Sequence, residues 1–514
     1  MADRTGIEVV DLPFHVFAAL FAVLLAFACV PLLLTPLPPL VDYPNHLARM
    51  HVLANWSRAS LLRQYYVVAW RPLPDLAMDV VVPPLLGIVS LQTAGKLFLA
   101  AAYALSAGGV AALHRAIHGR WSAWPLTVFL LVYNRLLLWG LVNFLFGLGL
   151  AFWALAGWII WRERNSSWRL MFGFIAALSI YFAHLMAFGI YGAMILGYEV
   201  GRSRHHRETA AQMIRAVSVT LLPFLPPLAL FGATLVSLHA GGSLLSGIRY
   251  SQPGRKLDLL FSIFDLYNRP FDVACFVIAI IAMAVAYWRR WLRLAPGIGA
   301  PLLLLMLLYL AMPSTLFGAT GADRRMPLAM AMLLVGGSAW QVPFARDAKK
   351  FLAATLMMFA VRIGVVAVSW HASGQIYSQL LTGLDALPRG ARIAVAFSDD
   401  EINVGAVPLL HFPVLVVARR DAFVPTLFAY PMQQPVAFAD GYGVLAAQLS
   451  SNALWRFYVD GKKPMPPTLA QALAHCDYIT FAARHAFVIA ATSGLTPIFV
   501  APEFQIYRLT GSSS

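Results

Sequence analysis

Charge is what this chain has least of. Only 12% of its 514 residues are Asp, Glu, Lys or Arg, while 60% are apolar. A soluble domain carries roughly a quarter charged residues, so most of this chain is built for lipid. Cysteine is nearly absent too. Cys29, Cys275 and Cys476 lie far apart, two of them inside apolar runs, which argues against a disulfide framework or a zinc site. Internal repeats and low-complexity tracts do not stand out. The sequence contains no P-loop, no Gly-rich dinucleotide fingerprint, no His-Glu-x-x-His motif and no nucleophile elbow. Charges within the apolar runs are few, Arg362 being the clearest, whereas a proton-driven transporter normally shows several. The net charge is +15, but the arginines fall mostly between hydrophobic runs. That pattern reads as membrane topology and not as a nucleic-acid face.

What is present is a succession of apolar runs near the ~20 residues needed to cross a bilayer. They lie at about 15–35, 94–113, 122–139, 143–161, 168–183, 184–200, 216–237, 272–288, 296–312, 326–341 and 351–369, eleven in all. The first is too long, and lacks a clear small-residue cleavage site, for a removed signal peptide. With the N-terminus inside, the inner connectors carry Arg115 and Arg120; Arg162, Arg164 and Arg169; Arg202, Arg204, Arg207 and Arg215; Arg289, Arg290 and Arg293; Arg346, Lys349 and Lys350. Each is basic, as the positive-inside rule requires. The expected fold is therefore a polytopic α-helical membrane protein of about eleven spans. Residues 1–369 form the membrane domain, with a first outer loop at about 36–93, and residues 370–514 form a C-terminal α/β domain outside the membrane. In that domain, short runs such as Arg392–Phe397, Val414–Val417, Tyr478–Phe481 and Pro497–Val500 read as strands. Segment 60–92, broken by Pro72, Pro74, Pro83 and Pro84, reads as short helices on the outer surface.

The chemistry concentrates directly after the first span, in Asp42-Tyr43-Pro44-Asn45-His46-Leu47-Ala48-Arg49. Pro44 can start a helix, and the spacing lets Asp42, His46 and Arg49 share one side of its first turn. Asp42 fits a helix N-cap and equally a general base; the two are not exclusive. His46 and Arg49 suit a phosphate or the ordering of Asp42, or else a surface helix whose arginine meets lipid headgroups, while His51 is expected in solvent. Asp323-Arg324-Arg325 precedes the tenth span on the outer side, against the charge trend, and so asks for an anionic ligand or for headgroup snorkelling. Arg249, Tyr250, Arg255, Lys256, Asp258, Asp265 and Arg269 suit a mobile lid or an ordinary solvated loop. His184, at an outer junction, suits a functional group or a bond to a neighbouring helix. Arg135, with Tyr133, Asn134 and Asn143, marks another short outer turn. Asp75 and Asp79 suit surface charge, or a metal or substrate contact. Substrate contacts are expected from Tyr43, Asn45, His46, Arg49, His184, Arg249, Asp323, Arg324 and Arg325.

An acidic residue in the first outer loop, many spans, and a soluble domain after the last one together resemble the GT-C glycosyltransferases. These integral-membrane enzymes use sugars carried on polyprenyl phosphates. The protein O-mannosyltransferases and aminoarabinose transferases carry Asp-Glu in that loop; here the position reads Val41-Asp42-Tyr43, so one acid matches. The resemblance implies inverting transfer at the outer face, with Asp42 as base and Arg49, Arg324 and Arg325 on the departing polyprenyl phosphate. It implies a polyprenyl-phosphate-linked sugar donor, a glycan, lipid or protein acceptor, and contact with membrane lipids. The implied setting is a bacterial inner membrane, with the N-terminus cytoplasmic and the C-terminal domain periplasmic or extracellular. A divalent metal is compatible with the family but is not supported by a single acid; no other cofactor is implied. The competing readings are a transporter or flippase for a lipid-linked saccharide and a non-catalytic envelope assembly scaffold.

Overall fold

A computed structural model of the chain describes residues 8–9, 11–162, 166–239, 248–316, 319–342, 345–398, 407–431, 433–461 and 464–510. Arg164 of the second basic connector and part of the outer loop at 238–271 lie outside the described residues.

In chain order, β1 (Glu8–Val9) precedes α1 (Phe14–Leu33), and the first loop folds as α2 (Tyr43–Asn55), α3 (Ser60–Tyr65), β2 (Tyr66–Val68) and α4 (Ala77–Leu85). Next come α5 (Leu91–His118), a 3-10 stretch at Trp124–Leu131, α6 (Arg135–Trp139), α7 (Val142–Trp161), α8 (Ser166–Ala183), α9 (Leu185–His205), α10 (Ala210–Leu221) and α11 (Leu225–His239). They are followed by α12 (Pro253–Phe261), α13 (Arg269–Trp288), β3 (Leu292–Leu294), α14 (Gly299–Ala311), β4 (Thr315–Leu316), β5 (Ala319–Thr320), α15 (Arg325–Gly337), β6 (Ser338–Val342) and α16 (Ala345–Asp385). The C-terminal part holds β7 (Ile393–Phe397), α17 (Leu415–Arg420), β8 (Val436–Phe438), α18 (Tyr442–Gln448), α19 (Ser451–Tyr458), α20 (Pro467–Leu473), β9 (Tyr478–Ala482), β10 (Leu495–Val500) and β11 (Phe504–Leu509).

Each of the eleven expected spans falls on a helical segment. Six of these helices are long and apolar enough to cross a membrane unaided, and four more are shorter apolar helices, among them Trp124–Trp139 and Arg325–Gly337. The chain is an integral membrane protein. Local sequence explains the irregular segments. Pro125 opens the 3-10 stretch, and Asn134 ends it by accepting from the amides of Leu136 and Leu137 to cap α6. Pro223 separates α10 from α11. The tenth span is shorter than expected: α15 stops at Gly337, and residues 338–342 become the central strand of a small sheet, β1-β6-β3. That sheet joins the N-terminus to two basic connectors at one end of the bundle. Helices α5 and α7 approach closely through small residues, since a Cβ on Gly109 would stand 2.8 Å from the Gly149 carbonyl oxygen.

α16 has 41 residues, about 60 Å at 1.5 Å per residue and roughly twice the thickness of a bilayer core. It therefore runs unbroken through residue 370, well past the length a single span needs. The sheet that follows has the order β10-β11-β9-β7, with β7 parallel to β9 and the other pairs antiparallel. Val414–Val417, expected as a strand, is instead a 3-10 turn leading into α17. Pro413 cannot donate to a sheet ladder but suits a helix start. β8 pairs not with this sheet but with β2 of the first loop, Tyr66 opposite Phe438. The C-terminal part is thereby stitched to the loop that carries Asp42.

Candidate active site

The first loop hangs from the end of α6. Gly140 terminates that helix in the left-handed conformation, at φ 85°. The carbonyls of Leu138 and Trp139 accept the amides of Val41 and Asp42 at 2.9 and 3.1 Å. Two acceptors at a helix C-terminus, which need partners from outside the helix, thus position the start of α2. Asp42 occupies the N-cap position, yet its side chain makes no cap hydrogen bond. The carboxylate is free of the helix and 20% exposed, with His411 Nε2 3.4 Å from Oδ1.

Asn45, fully buried, ties this corner to the C-terminal part. Its Oδ1 accepts from the Phe428 amide at 2.6 Å, and its Nδ2 donates to the Thr426 carbonyl at 2.9 Å and to His411 Nδ1 at 3.1 Å. The Phe428 ring stands edge-on to His411, 5.1 Å between centroids. His411 carries no sequence signal, because it lies more than 360 residues from Asn45 in the chain and belongs to no motif.

Arg49 does not face an anion site. Its Nε and Nη2 make a bidentate pair with Asp79 at 2.6 and 2.8 Å, both side chains fully buried. The reason is geometric: α4 packs on α2, so Asp79, expected at the surface or on a metal or substrate, lies directly against it. His46 Nδ1 faces Arg49 Nη2 at 3.4 Å. Burial and the Arg49 charge hold the His46 imidazole well below its ordinary range, so it is a neutral ring beside Arg49 and not a cationic phosphate clamp. Tyr43 is buried against Gly95 of α5, its hydroxyl without a partner. It packs α2 onto the bundle. His51 is half-buried and bonds Asp421 at 2.9 Å.

Arg325 forms the opposite wall. At the first position of α15 it is 6% exposed, donates to the Thr320 carbonyl at 3.2 Å, and lies over the Phe144 ring at 5.7 Å. Its Nε has no partner, and the carboxylates of Asp75, Asp42 and Asp323 all act on its charge. The same Phe144 ring meets His184 edge-on at 5.3 Å. His184 caps α9 by accepting the Met186 amide at 3.0 Å and stands 3.7 Å from Asp75. Asp75 holds a left-handed backbone, φ 69°, clamped by the Leu185 amide at 2.9 Å and by Asn143 at 2.6 Å. Arg324 is partly exposed, and its guanidinium lies 5.4 Å over the Trp139 indole. Asp323 is buried and accepts from Ser251 at 2.9 Å. Arg249 is exposed, and its backbone extends the β4 turn through Ser314 and Thr315. Arg135 pairs with Asp265 at 3.5 Å.

The structure thus gathers Asp42, Asn45 and His411 on one side, and Arg325, Arg324, His184 and Asp75 on the other, around the turn between α6 and α7. Arg49 and Tyr43 belong to the support behind it, and Arg249 to a separate loop. Among the described residues, no group of three or more imidazole, thiolate or carboxylate side chains is arranged to hold a metal ion.

The expected architecture, a helical membrane bundle joined through its first loop to a C-terminal α/β part, is what the chain adopts. Two solved structures share it. The cryo-EM structure of arabinofuranosyltransferase AftD from Mycobacteria superposes with a TM-score of 0.52 at 13% identity, over 98% of this chain and 40% of that one. The crystal structure of ArnT from Cupriavidus metallidurans bound to undecaprenyl phosphate also gives a TM-score of 0.52 at 13% identity, over 96% of this chain and 98% of that one. The chain therefore spans less than half the length of AftD and nearly all of ArnT. No protein-family model and no curated protein matches the sequence. At such identity the likeness is one of fold.

Proposed function

We propose that this protein is an inverting membrane glycosyltransferase that takes a sugar from a polyprenyl-phosphate donor. The observation that carries the proposal is the Asp42 carboxylate. It makes no cap bond and is partly open, where the first loop and the C-terminal part meet. Arg325 lies within electrostatic reach of Asp42, and Arg324 stacks on Trp139, whose carbonyl holds the Asp42 amide, in a fold shared with one structure that holds undecaprenyl phosphate. Asp42 takes the proton of an acceptor hydroxyl as its oxygen bonds the anomeric carbon. The anomeric carbon–oxygen bond to phosphate breaks at the same time, and the electron pair leaves with the polyprenyl phosphate. A positioned base contributes typically about 10²–10⁴ in rate. Arg324, partly exposed, is the contact for the departing phosphate; Arg325 supplies a fixed positive field behind it. The basic connectors support a cytoplasmic position for the opposite end of the bundle. The transfer site then faces the periplasm or exterior of a bacterial inner membrane, with a glycan, lipid or protein as acceptor.

The test is a transfer assay with purified protein in bilayers. It uses a panel of polyprenyl-phosphate-linked sugars, with cell-envelope fractions as acceptor source. Sugar moved onto an envelope component, with free polyprenyl phosphate released, supports the reading. Movement of intact donor between leaflets without cleavage assigns a flippase instead.

A further inference from the structure

We infer that His411 is a positioning residue for Asp42, with Nδ1 an acceptor and a proton on Nε2 directed at Asp42 Oδ1. The inference deepens the assignment of Asp42 as base and rests on it for its catalytic meaning.

The argument starts at Asn45. An amide side chain can be turned either way, and its partners decide which end is oxygen. Here two backbone groups of opposite kind decide it. The Phe428 N–H can only donate, so the atom it meets at 2.6 Å is Oδ1. The Thr426 carbonyl can only accept, so the atom it meets at 2.9 Å is Nδ2. The group 3.1 Å from His411 Nδ1 is therefore an N–H donor. Nδ1 must accept from it and carries no proton. In a neutral imidazole the proton then sits on Nε2, the nitrogen 3.4 Å from Asp42 Oδ1.

Two consequences follow. An Nδ1–H would meet the Asn45 N–H head-on, so Asn45 keeps Nδ1 as an acceptor and leaves Nε2–H to face the carboxylate. An imidazole with Nε2–H facing Asp42 also cannot take a proton from that side, so the base role falls to Asp42 and not to its neighbour. The contact is long for a hydrogen bond, as catalytic contacts often are before substrate binds. By engaging Oδ1 it leaves Oδ2 for the acceptor hydroxyl. The surrounding groups are compatible. His46 is neutral behind the pair, the Phe428 ring borders His411, and Arg325 acts on Asp42 from across the site. Because Asn45 is anchored on Thr426 and Phe428, the C-terminal part is what completes the site.

The tautomer is read directly, without an activity assay, by nitrogen-15 NMR of histidine-labelled full-length protein in bilayers, with His411→Gln identifying the resonance. The expected result is an unprotonated Nδ1 and a protonated Nε2 at neutral pH; a protonated Nδ1 overturns the inference. Activity provides the second arm. His411→Leu keeps bulk and loses the donor, and should lower kcat on the order of 10–100-fold, as removing an orienting partner does, with KM for the donor little changed. His411→Gln restores an N–H near the Nε2 position and should recover most of the loss. Equal kcat in all three proteins overturns the positioning role. The base assignment fails separately, if Asp42→Asn retains turnover whatever the tautomer of His411.

Discussion

Gly140 lies so close to Asp42 that no side chain fits between them. A Cβ on Gly140 would stand 2.8 Å from the Asp42 amide nitrogen and 3.0 Å from the Asp42 Cβ. The glycine also sits at φ 85°, a conformation that costs other residues roughly 1–2 kcal/mol. Gly140→Ala should therefore lower stability by at least about that amount and displace Asp42. Thermal unfolding and turnover should fall together. A variant with parental melting and parental kcat would show that the turn after α6 does not position the loop.

The Arg49–Asp79 pair is buried in full. Removing one partner of such a pair leaves an uncompensated charge and costs about 3–5 kcal/mol, whereas replacing both by apolar groups is often near neutral. Asp79→Leu should be strongly destabilising, and Arg49→Met with Asp79→Leu should recover much of the loss. Denaturant unfolding in mild detergent measures this. If Asp79→Leu unfolded like the parent, Arg49 would be available for another role, including the phosphate contact expected from the sequence.

Arg324 and Arg325 separate by environment. Arg324 is partly exposed over Trp139, while Arg325 is buried with a bond to Thr320. A hydrogen bond to a charged group contributes about 1.5–3 kcal/mol, so Arg324→Gln should weaken polyprenyl-phosphate binding roughly 10–100-fold with little change in stability. Arg325→Gln should weaken binding and destabilise the fold. Calorimetric titration with a short-chain polyprenyl phosphate, beside a melting curve, distinguishes the two. Unchanged affinity in Arg324→Gln assigns that residue to lipid headgroups.

His46 gives a pH dependence with a definite sign. Its folded-state value lies well below the ordinary imidazole range because the ring is buried beside Arg49. The unfolded chain therefore takes up the proton first as pH falls below about 6.5, and the stability held by the neutral ring is lost in that direction. Between pH 7.5 and 5.5 the parent should lose more stability than His46→Gln. The reverse order, measured as the difference in unfolding midpoints, would mean that His46 is charged in the folded state.

The membrane architecture was legible because crossing a bilayer demands length and apolarity, and both are written locally. Basic connectors and apolar runs placed all eleven segments. The small β1-β6-β3 sheet was not legible, because strands of two to five residues leave no period to detect. The site was legible in part. Asp42 was singled out by its neighbours in sequence, and the structure leaves its carboxylate free of the helix cap. Arg49 looked like an anion clamp because its partner, Asp79, is 30 positions away; only the packing of α4 on α2 joins them. His411 was invisible for the same reason at greater range. Residues that act through local spacing could be read from the chain, and residues that act through tertiary contact could not.

The central claim is that Asp42 is a base and not a cap. Asn keeps its size and N-cap preference but cannot accept the hydroxyl proton. Turnover of a polyprenyl-phosphate-linked sugar by purified Asp42→Asn, beside donor binding by the same protein, tests this directly. The account predicts donor affinity near that of the parent and a loss of about 10²–10⁴ in kcat. Transfer at the parental rate would contradict it and leave Asp42 a structural residue.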